Sequence, residues 1–235
     1  MMRKIELQPK YISSFEEILM GIDLDNKTVL DIGCGDAMLA LYLAKHKNVK
    51  KVLCIDNYQG RGNDPSSYYD ALNLSKKFEK IDLIVRDINK FRPRRQFDCI
   101  SAINTLHHLF FTEESFFADA AAYKYFTDLF SGLRKMLKPG GKLVINEISP
   151  LNLFLGRLFL KRVHWKSKHF PSEWKRCLED AGFNKVVVRY CTPAQLRKIP
   201  FSRIVFNNPV MNVVLLSTYT IVATNQEEVI NELEK

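Results

Sequence analysis

The sequence predicts an α/β fold in which a parallel sheet carries helices on both faces. Short apolar runs recur along the chain and alternate with segments whose apolar residues repeat at helical spacing. The first run, 28–33, ends at a glycine that opens a helix-forming segment, as the strand–turn–helix units of such folds do. No repeat or low-complexity linker interrupts the chain, so one domain over residues 1–235 is expected.

Strands are predicted where apolar runs are bounded by polar or turn-forming residues. The seven strands are placed at 28–33, 51–56, 81–85, 97–103, 142–147, 185–190 and 219–224. Helices are placed at 13–21, 37–46, 65–78, 126–137 and 172–181. A hydroxyl N-cap at Ser13 favours the first helix, and Asp64 before Pro65 favours the third. The turn Pro139-Gly-Gly141 is expected to end the fourth helix.

Charge and cysteine content restrict the class of protein. The 235 residues carry a formal net charge of +9, which suggests an anionic ligand, nucleic acid or an acidic membrane surface. An acidic tail, 225–235, holds four Glu and one Lys. Five widely spaced cysteines with no CxxC pair argue against disulfides and against a zinc site, so no metal is expected and a reducing, cytoplasmic setting is favoured. Charges at residues 3–6 argue against a signal peptide, and the longest uncharged stretch, 204–226, is too polar for a membrane span.

The first strand ends in a glycine loop, Asp31-Ile-Gly33-Cys-Gly35. Two glycines allow a tight turn and let a ligand approach the backbone where a Cβ would otherwise stand. A dinucleotide fingerprint would have a third glycine at position 38, where this chain has Met. The loop therefore provides a weaker cradle for a pyrophosphate, and taken alone it is also compatible with a purely structural turn.

Polar residues follow the next three strands, at the edge of the sheet where α/β proteins bind ligands. Asp56 ends the second strand 21 residues after Gly35, a spacing that suits a carboxylate accepting from both hydroxyls of a ribose. The third strand leads to Asp87-Ile88, an acid and an apolar residue suited to an adenine, although Asp87 alone is also compatible with a helix cap. The fourth strand leads to 104–108, Asn-Thr-Leu-His-His.

Together these motifs resemble the class I S-adenosylmethionine-dependent methyltransferases, in their small-molecule branch. The resemblance covers about residues 29–224 and includes 137–141, Leu-Lys-Pro-Gly-Gly. It implies a doubly wound seven-stranded sheet whose last strand is antiparallel beside the sixth. It also implies S-adenosylmethionine as the cofactor.

The resemblance further implies roles for individual residues. The loop that contains Gly33, Cys34 and Gly35 would lie against the methionine part of the cofactor, and Asp31 would help to hold its amino group. Asp56, followed by Asn57, would bind the ribose. Asp87 and Ile88 would flank the adenine, and Asn104 would line the methyl-donor pocket.

The chain departs from the family pattern at two places. Ala37 stands where the family often has a third glycine, and little harm is expected from so small a residue. The segment 57–64 is longer and richer in glycine than usual, so the adenosine edge is expected to be built differently. Cys34, Cys54 and Cys99 are interpreted as small buried fillers.

His107 and His108 are the candidate catalytic residues, because histidine can act as a general base near neutral pH. On an extended strand end two neighbours point to opposite sides, so only one should face the pocket. In similar small-molecule methyltransferases the histidine directly precedes a leucine. Here His108 precedes Leu109, which makes His108 the expected base and His107 a packing or solvent-facing residue.

The acceptor is expected to be a small molecule, hydrophobic or lipid-like in character. The segment 151–169, within a variable insertion at about 150–170, mixes apolar and basic residues, and 200–216 is also apolar. Such a basic amphipathic segment suits a lid over the acceptor, a peripheral contact with an anionic membrane, or a phosphate-binding surface.

Two other function classes remain open from the sequence. An RNA methyltransferase would use the basic residues of 157–176, but no Asn/Asp-Pro-Pro-Tyr/Phe run is present. A nicotinamide-dependent oxidoreductase would use Asp56, but the missing glycine at position 38 argues against it.

Overall fold

Seven strands form a single sheet in the order β3-β2-β1-β4-β5-β7-β6. The computed structural model describes residues 6–59, 64–110, 112, 115–116, 118–148, 168–192, 208 and 218–226. The strands are β1 Thr28–Ile32, β2 Lys51–Asp56, β3 Ile81–Val85, β4 Phe97–Ile103, β5 Leu137–Ile148, β6 Lys185–Tyr190 and β7 Thr218–Thr224. Among the described strands the neighbours pair in parallel, except that β7 lies antiparallel between β5 and β6. The predicted fold class is confirmed.

Helices cover both faces of this sheet. They are α1 Pro9–Ile18, α2 Met38–His46, α3 Pro65–Lys77, α4 Leu106–Leu109, α5 Ala120–Met136 and α6 Pro171–Asp180. Successive strand side chains point to opposite faces, so neighbouring residues of one strand enter two different cores. Val29 packs in the core under α1, α2 and α3, whereas Leu30 packs in the core under α5 and α6.

The first helix differs from its predicted range of 13–21. It begins at Pro9, because proline needs no backbone N–H partner in the first helical turn, and it ends at Ile18. Ser13 therefore lies inside the helix rather than at its start. The start of α3 is as predicted, since the Asp64 carboxylate accepts a 2.8 Å hydrogen bond from the backbone amide of Ser66.

The turn at residues 139–141 also differs from the expectation. Helix α5 already ends at Met136, and β5 begins at Leu137, which pairs with Phe97 at the start of β4. Gly140 has a φ of +73°, a backbone conformation that glycine adopts without steric cost. The turn is thus part of the long strand β5 rather than the helix terminus itself.

Most of the expected acceptor-binding segments lie outside the described residues. These are 150–167 of the insertion and nearly all of 200–216; residues 227–235 of the acidic tail are also outside the described part of the chain. The amide of Asn225 donates 3.1 and 3.2 Å hydrogen bonds to the carbonyls of Leu137 and Lys138, which fixes the end of β7 against the start of β5. Within the described ranges, every helix is too short or too polar to cross a membrane.

Candidate active site

A cavity of about 240 Å³ opens at the carboxyl edge of the sheet, next to the neighbouring strands β1 and β4. The strand order reverses here, since β2 and β3 lie on one side of β1 and β5 lies on the other side of β4. Parallel α/β sheets bind ligands at this position. Its lining includes Gly33, Asp56, Asn57, Asp87, Ile88, Asn104, Thr105 and His108. Six of the nine residues expected to bind the cofactor therefore border one cavity. The other three, Asp31, Cys34 and Gly35, do not line it.

The glycine loop is shaped by a contact that the sequence does not reveal. Gly33 has a φ of +63°, and a Cβ built on it would stand 2.1 Å from Cγ2 of Thr105. The Thr105 hydroxyl donates to the carbonyl of Gly33 at 3.2 Å. Gly35 also has a positive φ, +52°, but its Cβ position faces open space. The side chain of Thr105 therefore leaves room only for glycine at position 33, whereas the Cβ position of Gly35 is open.

The two glycines should therefore respond differently to alanine. Gly33→Ala combines an unfavourable backbone with a clash against a buried threonine, and we expect it to lower the free energy of unfolding by about 2–5 kcal/mol. Gly35→Ala carries only the backbone cost, about 1–2 kcal/mol. Urea denaturation of both variants measures the difference. Equal losses would show that Thr105 does not constrain the loop.

The Asp56 carboxylate connects the glycine loop to the chain after β2. Its oxygens accept hydrogen bonds from the backbone amides of Gly35 at 3.0 Å and Tyr58 at 2.8 Å. The Tyr58 hydroxyl in turn donates to the carbonyl of Gly35 at 2.9 Å and lies 3.6 Å from Sγ of Cys34. Tyr58 has a φ of +54°, which is unusual for a residue of its size. Residues 60–63 of the glycine-rich segment 57–64 lie outside the described residues, so the expected departure from the family pattern there stays a prediction.

The three core cysteines are buried, as expected. Cys34, Cys54 and Cys99 are all buried and free. Burial raises the pKa of Cys99 to about 12, and a hydrogen bond with Cys34, added to burial, raises the pKa of Cys54. Protonated thiols are poor nucleophiles.

Asp87 is both a cap and part of the cavity wall. Its carboxylate accepts from the backbone amide of Asn89 at 2.8 Å and so caps the short 3₁₀ turn Ile88–Lys90. The side chain of Ile88 is buried beneath the wall. Asn104, which also lines the cavity, has a φ of +51°, which asparagine tolerates better than most residues.

Asp31 is buried behind the glycine loop rather than in the cavity. It points to the α1–α3 face and accepts a 2.8 Å hydrogen bond from the Ser101 hydroxyl. Burial raises the pKa of Asp31 to about 7; the Ser101 hydroxyl opposes this, while the charges of Asp56 and Asp36 add to it. A cation brought near this carboxyl would favour its ionised form.

The raised pKa of Asp31 predicts a specific pH dependence of stability. Because the folded state binds the extra proton between an unfolded pKa near 3.8 and a folded pKa of about 7, stability should fall as pH rises through that window. The slope due to this group is at most about 1.4 kcal/mol per pH unit. In Asp31→Asn the contribution should be absent. Urea denaturation of both proteins at pH 5 and pH 8 tests this, and parallel pH profiles would contradict it.

The two histidines lie in helix α4, not on an extended strand end. The predicted strand alternation is therefore wrong, although the two rings do occupy different environments. His108 lines the cavity, whereas His107 is buried with only 6% of its surface exposed. His108 is exposed to solvent at the cavity, and its partial burial lowers its pKa to about 4; the charges of His107 and Lys168 lower this pKa further than Glu147 and Asp56 raise it. His108 is thus a neutral imidazole at physiological pH.

Glu147 is a site residue that the sequence analysis missed. It lies near the end of β5 with 1% of its surface exposed, and its two oxygens contact Leu106 and His107 of α4. A weaker signal was available, since Glu147 follows the apolar run of β5 after one intervening residue, Asn146, much as Asp56 follows the apolar run of β2. Thr105 and Tyr58 had no comparable signal, because their partners lie 72 and 23 residues away.

The described end of the basic segment packs into the protein. Lys168 is 8% exposed and His169 is 3% exposed. The ring of His169 stacks on Phe116 at 3.8 Å, and its carbonyl accepts from the Tyr219 hydroxyl at 2.8 Å. At least these two residues are therefore core rather than a solvated basic surface.

Comparison with known proteins identifies the family. The model of the methyltransferase domain matches residues 5–188, which is more than three quarters of the chain. The chain belongs to the methyltransferase-domain family. The resemblance inferred from the motifs is confirmed, and family and fold together agree with S-adenosylmethionine as the cofactor.

Relatives of this methyltransferase-domain protein include both curated sequences and solved structures. An (S)-tetrahydroprotoberberine N-methyltransferase from Eschscholzia californica is 32% identical over 123 residues, which are 46% of this chain and 34% of that enzyme. The chain thus spans about a third of that relative. The structure of a putative S-adenosylmethionine-dependent methyltransferase from Listeria monocytogenes has a TM-score of 0.58 at 19% identity, covering 92% of this chain and 96% of that one.

A third relative was solved with a product-like ligand. The N-methyltransferase NodS from Bradyrhizobium japonicum, in complex with S-adenosylhomocysteine, has a TM-score of 0.57 at 16% identity. The match covers 94% of this chain and 89% of that one. At such identity the likeness concerns the fold alone.

Proposed function

We propose that this protein is an S-adenosylmethionine-dependent methyltransferase that acts on a small-molecule acceptor. The observation that carries the proposal is the cavity at the carboxyl edge of the sheet. A carboxylate, Asp56, an apolar wall, Ile88, and a neutral imidazole, His108, all border it. These are the groups that a ribose, an adenine ring and a deprotonation step would require.

The residues present fit such a cofactor. The open side of Gly35 leaves space where a Cβ would otherwise stand, and none of the described residues lies within 4 Å of that position. Asp56 holds the glycine loop with hydrogen bonds to amides while still facing the cavity. When bound, S-adenosylmethionine supplies an electrophilic sulfonium methyl group. Asp31 balances the positive charge of the cofactor from behind the loop.

His108 acts as the general base where the acceptor must lose a proton. Its low pKa keeps the ring uncharged at neutral pH, so a lone pair is available and no positive charge opposes a cationic methyl donor. Orientation of acceptor and donor in the cavity provides the rest of the rate enhancement.

An amine is the acceptor class that the comparisons favour, because the curated relative from Eschscholzia californica is an N-methyltransferase. The hydrophobic or lipid-like character of the acceptor remains our hypothesis, since it rests on segments 150–167 and 200–216. The same holds for peripheral membrane contact. The RNA and nicotinamide alternatives receive no support from the comparisons. The five free thiols are consistent with the cytoplasm.

Two measurements test the proposal. Isothermal titration calorimetry should show binding of S-adenosylmethionine and S-adenosylhomocysteine, and much weaker binding of NAD. A screen with methyl-labelled S-adenosylmethionine over secondary and tertiary amines, neutral and anionic lipids, and structured RNA should give transfer to a small amine. Tight binding of NAD without S-adenosylmethionine binding would reject the assignment. Transfer to RNA alone would replace the small-molecule acceptor.

A further inference from the structure

The catalytic candidate His108 stands on an unusually short helix. Helix α4 has four residues, Leu106–Leu109, and a single turn does not hold its own conformation in water. The backbone amide of His108 donates to the carbonyl of Thr105 at 3.0 Å, which closes that turn. The orientation of the turn relative to the cavity must therefore come from contacts outside α4.

Glu147 makes two such contacts from the end of β5. One oxygen accepts a 2.9 Å hydrogen bond from the backbone amide of Leu106, the first residue of α4. The other lies 2.7 Å from Nδ1 of His107. The His107 ring lies against the His108 ring, with 3.9 Å between centroids. One carboxylate thus fixes both the start of the helix and the ring on which His108 packs.

The charges around this contact favour an ionised Glu147. Burial acts to raise the pKa of Glu147, but His107, Lys168 and the amide of Leu106 outweigh it and hold the pKa below its ordinary value. A buried carboxylate with satisfied oxygens is rigid, because losing either hydrogen bond would leave an unpaired polar atom in the core. Neither Glu147 nor His107 lines the cavity, so neither is placed to touch substrate.

We propose that Glu147 and His107 are positioning residues, which hold α4 so that the imidazole of His108 faces the methyl-transfer cavity. The inference rests on the proposed function, because it presupposes that His108 works in that cavity. It explains why two adjacent histidines occur here, since one forms the support and the other the reacting group. It also accounts for the burial of the Glu147 carboxylate near the end of β5.

The test follows the exposure of His108 directly and needs no acceptor. Diethyl pyrocarbonate acylates neutral imidazoles, and peptide mass spectrometry separates His108 from the other four histidines. With saturating S-adenosylhomocysteine we expect His108 to be modified about tenfold faster in Glu147→Gln than in the parent protein, as loss of one charge-assisted hydrogen bond implies. Affinity for S-adenosylhomocysteine should stay within about threefold.

Glu173→Gln provides the matched control. Glu173 is equally buried and lies 3.8 Å from the ring of His169, but it accepts hydrogen bonds from Ser115, Phe116 and Phe170 rather than from α4. It should lose stability without changing the His108 modification rate. Equal His108 rates in Glu147→Gln and the parent protein, with or without ligand, would overturn the proposal.

A second variant covers the case in which Glu147→Gln does not fold. His107→Gln keeps a donor toward Glu147 but removes the ring contact with His108, and it should give the same faster modification. An unchanged rate in this variant would also overturn the positioning role. If the parent protein does not bind S-adenosylhomocysteine at all, the proposed function fails instead, while the rates without ligand still report on the positioning of His108.

Discussion

Replacing Asp56 by alanine is expected to weaken binding of S-adenosylmethionine and S-adenosylhomocysteine by about 30- to 1000-fold. The carboxylate would lose two charge-assisted hydrogen bonds to a ribose, about 2–4 kcal/mol. The structure adds a second reason, since Asp56 also accepts from the amides of Gly35 and Tyr58. The variant should therefore loosen the glycine loop as well. Isothermal titration calorimetry gives the affinities directly.

Two control variants separate these effects. Asp82→Ala removes a half-exposed carboxylate from β3, where it pairs with Lys51 at 2.9 Å, and it should leave cofactor affinity unchanged. Asp56→Asn retains one carbonyl oxygen and should lose less affinity than Asp56→Ala. An Asp56→Ala protein that is folded and binds S-adenosylhomocysteine as tightly as its parent would refute the assignment of the cavity.

The strands were well predicted from the sequence because their signal is local. The bounds of β2, β3, β4 and β6 agree with the predicted ones, since each is an apolar run that ends at a polar or turn-forming residue. The antiparallel position of β7 is not local information and came from the family resemblance. The order of the strands in the sheet was not predicted from the sequence, because it depends on contacts between distant strands.

Errors arose where a local signal had competing explanations. Ser13 has the chemistry of an N-cap, but Pro9 starts α1 four residues earlier and the serine becomes a helix-interior residue. The segment after Asn104 was read as a strand end, because a helix of one turn has too few residues to show a periodicity. His108, which lies in that segment, nevertheless lines the cavity as predicted.

The site was predictable as far as its residues follow strands in sequence. Asp56 ends β2, and Gly33, Asp87 and Asn104 follow within two residues of a strand end; the parallel sheet brings such positions to one edge. Contacts between distant parts of the chain were not predictable. Thr105 constrains Gly33 across 72 residues, and Glu147 holds His107 across 40. These contacts determine which backbone and which ring face the cavity.

The environment of His108 determines how its contribution should depend on pH. The pKa of His108 is lowered to about 4, first by burial and then by the charges of His107 and Lys168, while Glu147 and Asp56 oppose the shift. The basic form is therefore fully present above about pH 5 and is lost as pH falls through 4. A base with so low a pKa is weak, but it is not consumed by protonation at any physiological pH.

His108→Ala is expected to cut turnover within the usual range for a general base, about 10²- to 10⁴-fold, and toward the lower end of it because a base with a pKa of about 4 is weak. Affinity for S-adenosylhomocysteine should stay within about threefold, because the cofactor is held mainly by the loop and by Asp56. With an acceptor from the methyl-transfer screen, titration of His108 should cause no change in the kcat of the parent protein between pH 6 and 8, because the ring is neutral throughout that range. His107→Ala should behave differently, since it leaves the buried Glu147 without its partner and should lower the free energy of unfolding by about 3–5 kcal/mol. Turnover unchanged in His108→Ala would mean that the acceptor attacks without a base and that orientation alone accounts for catalysis.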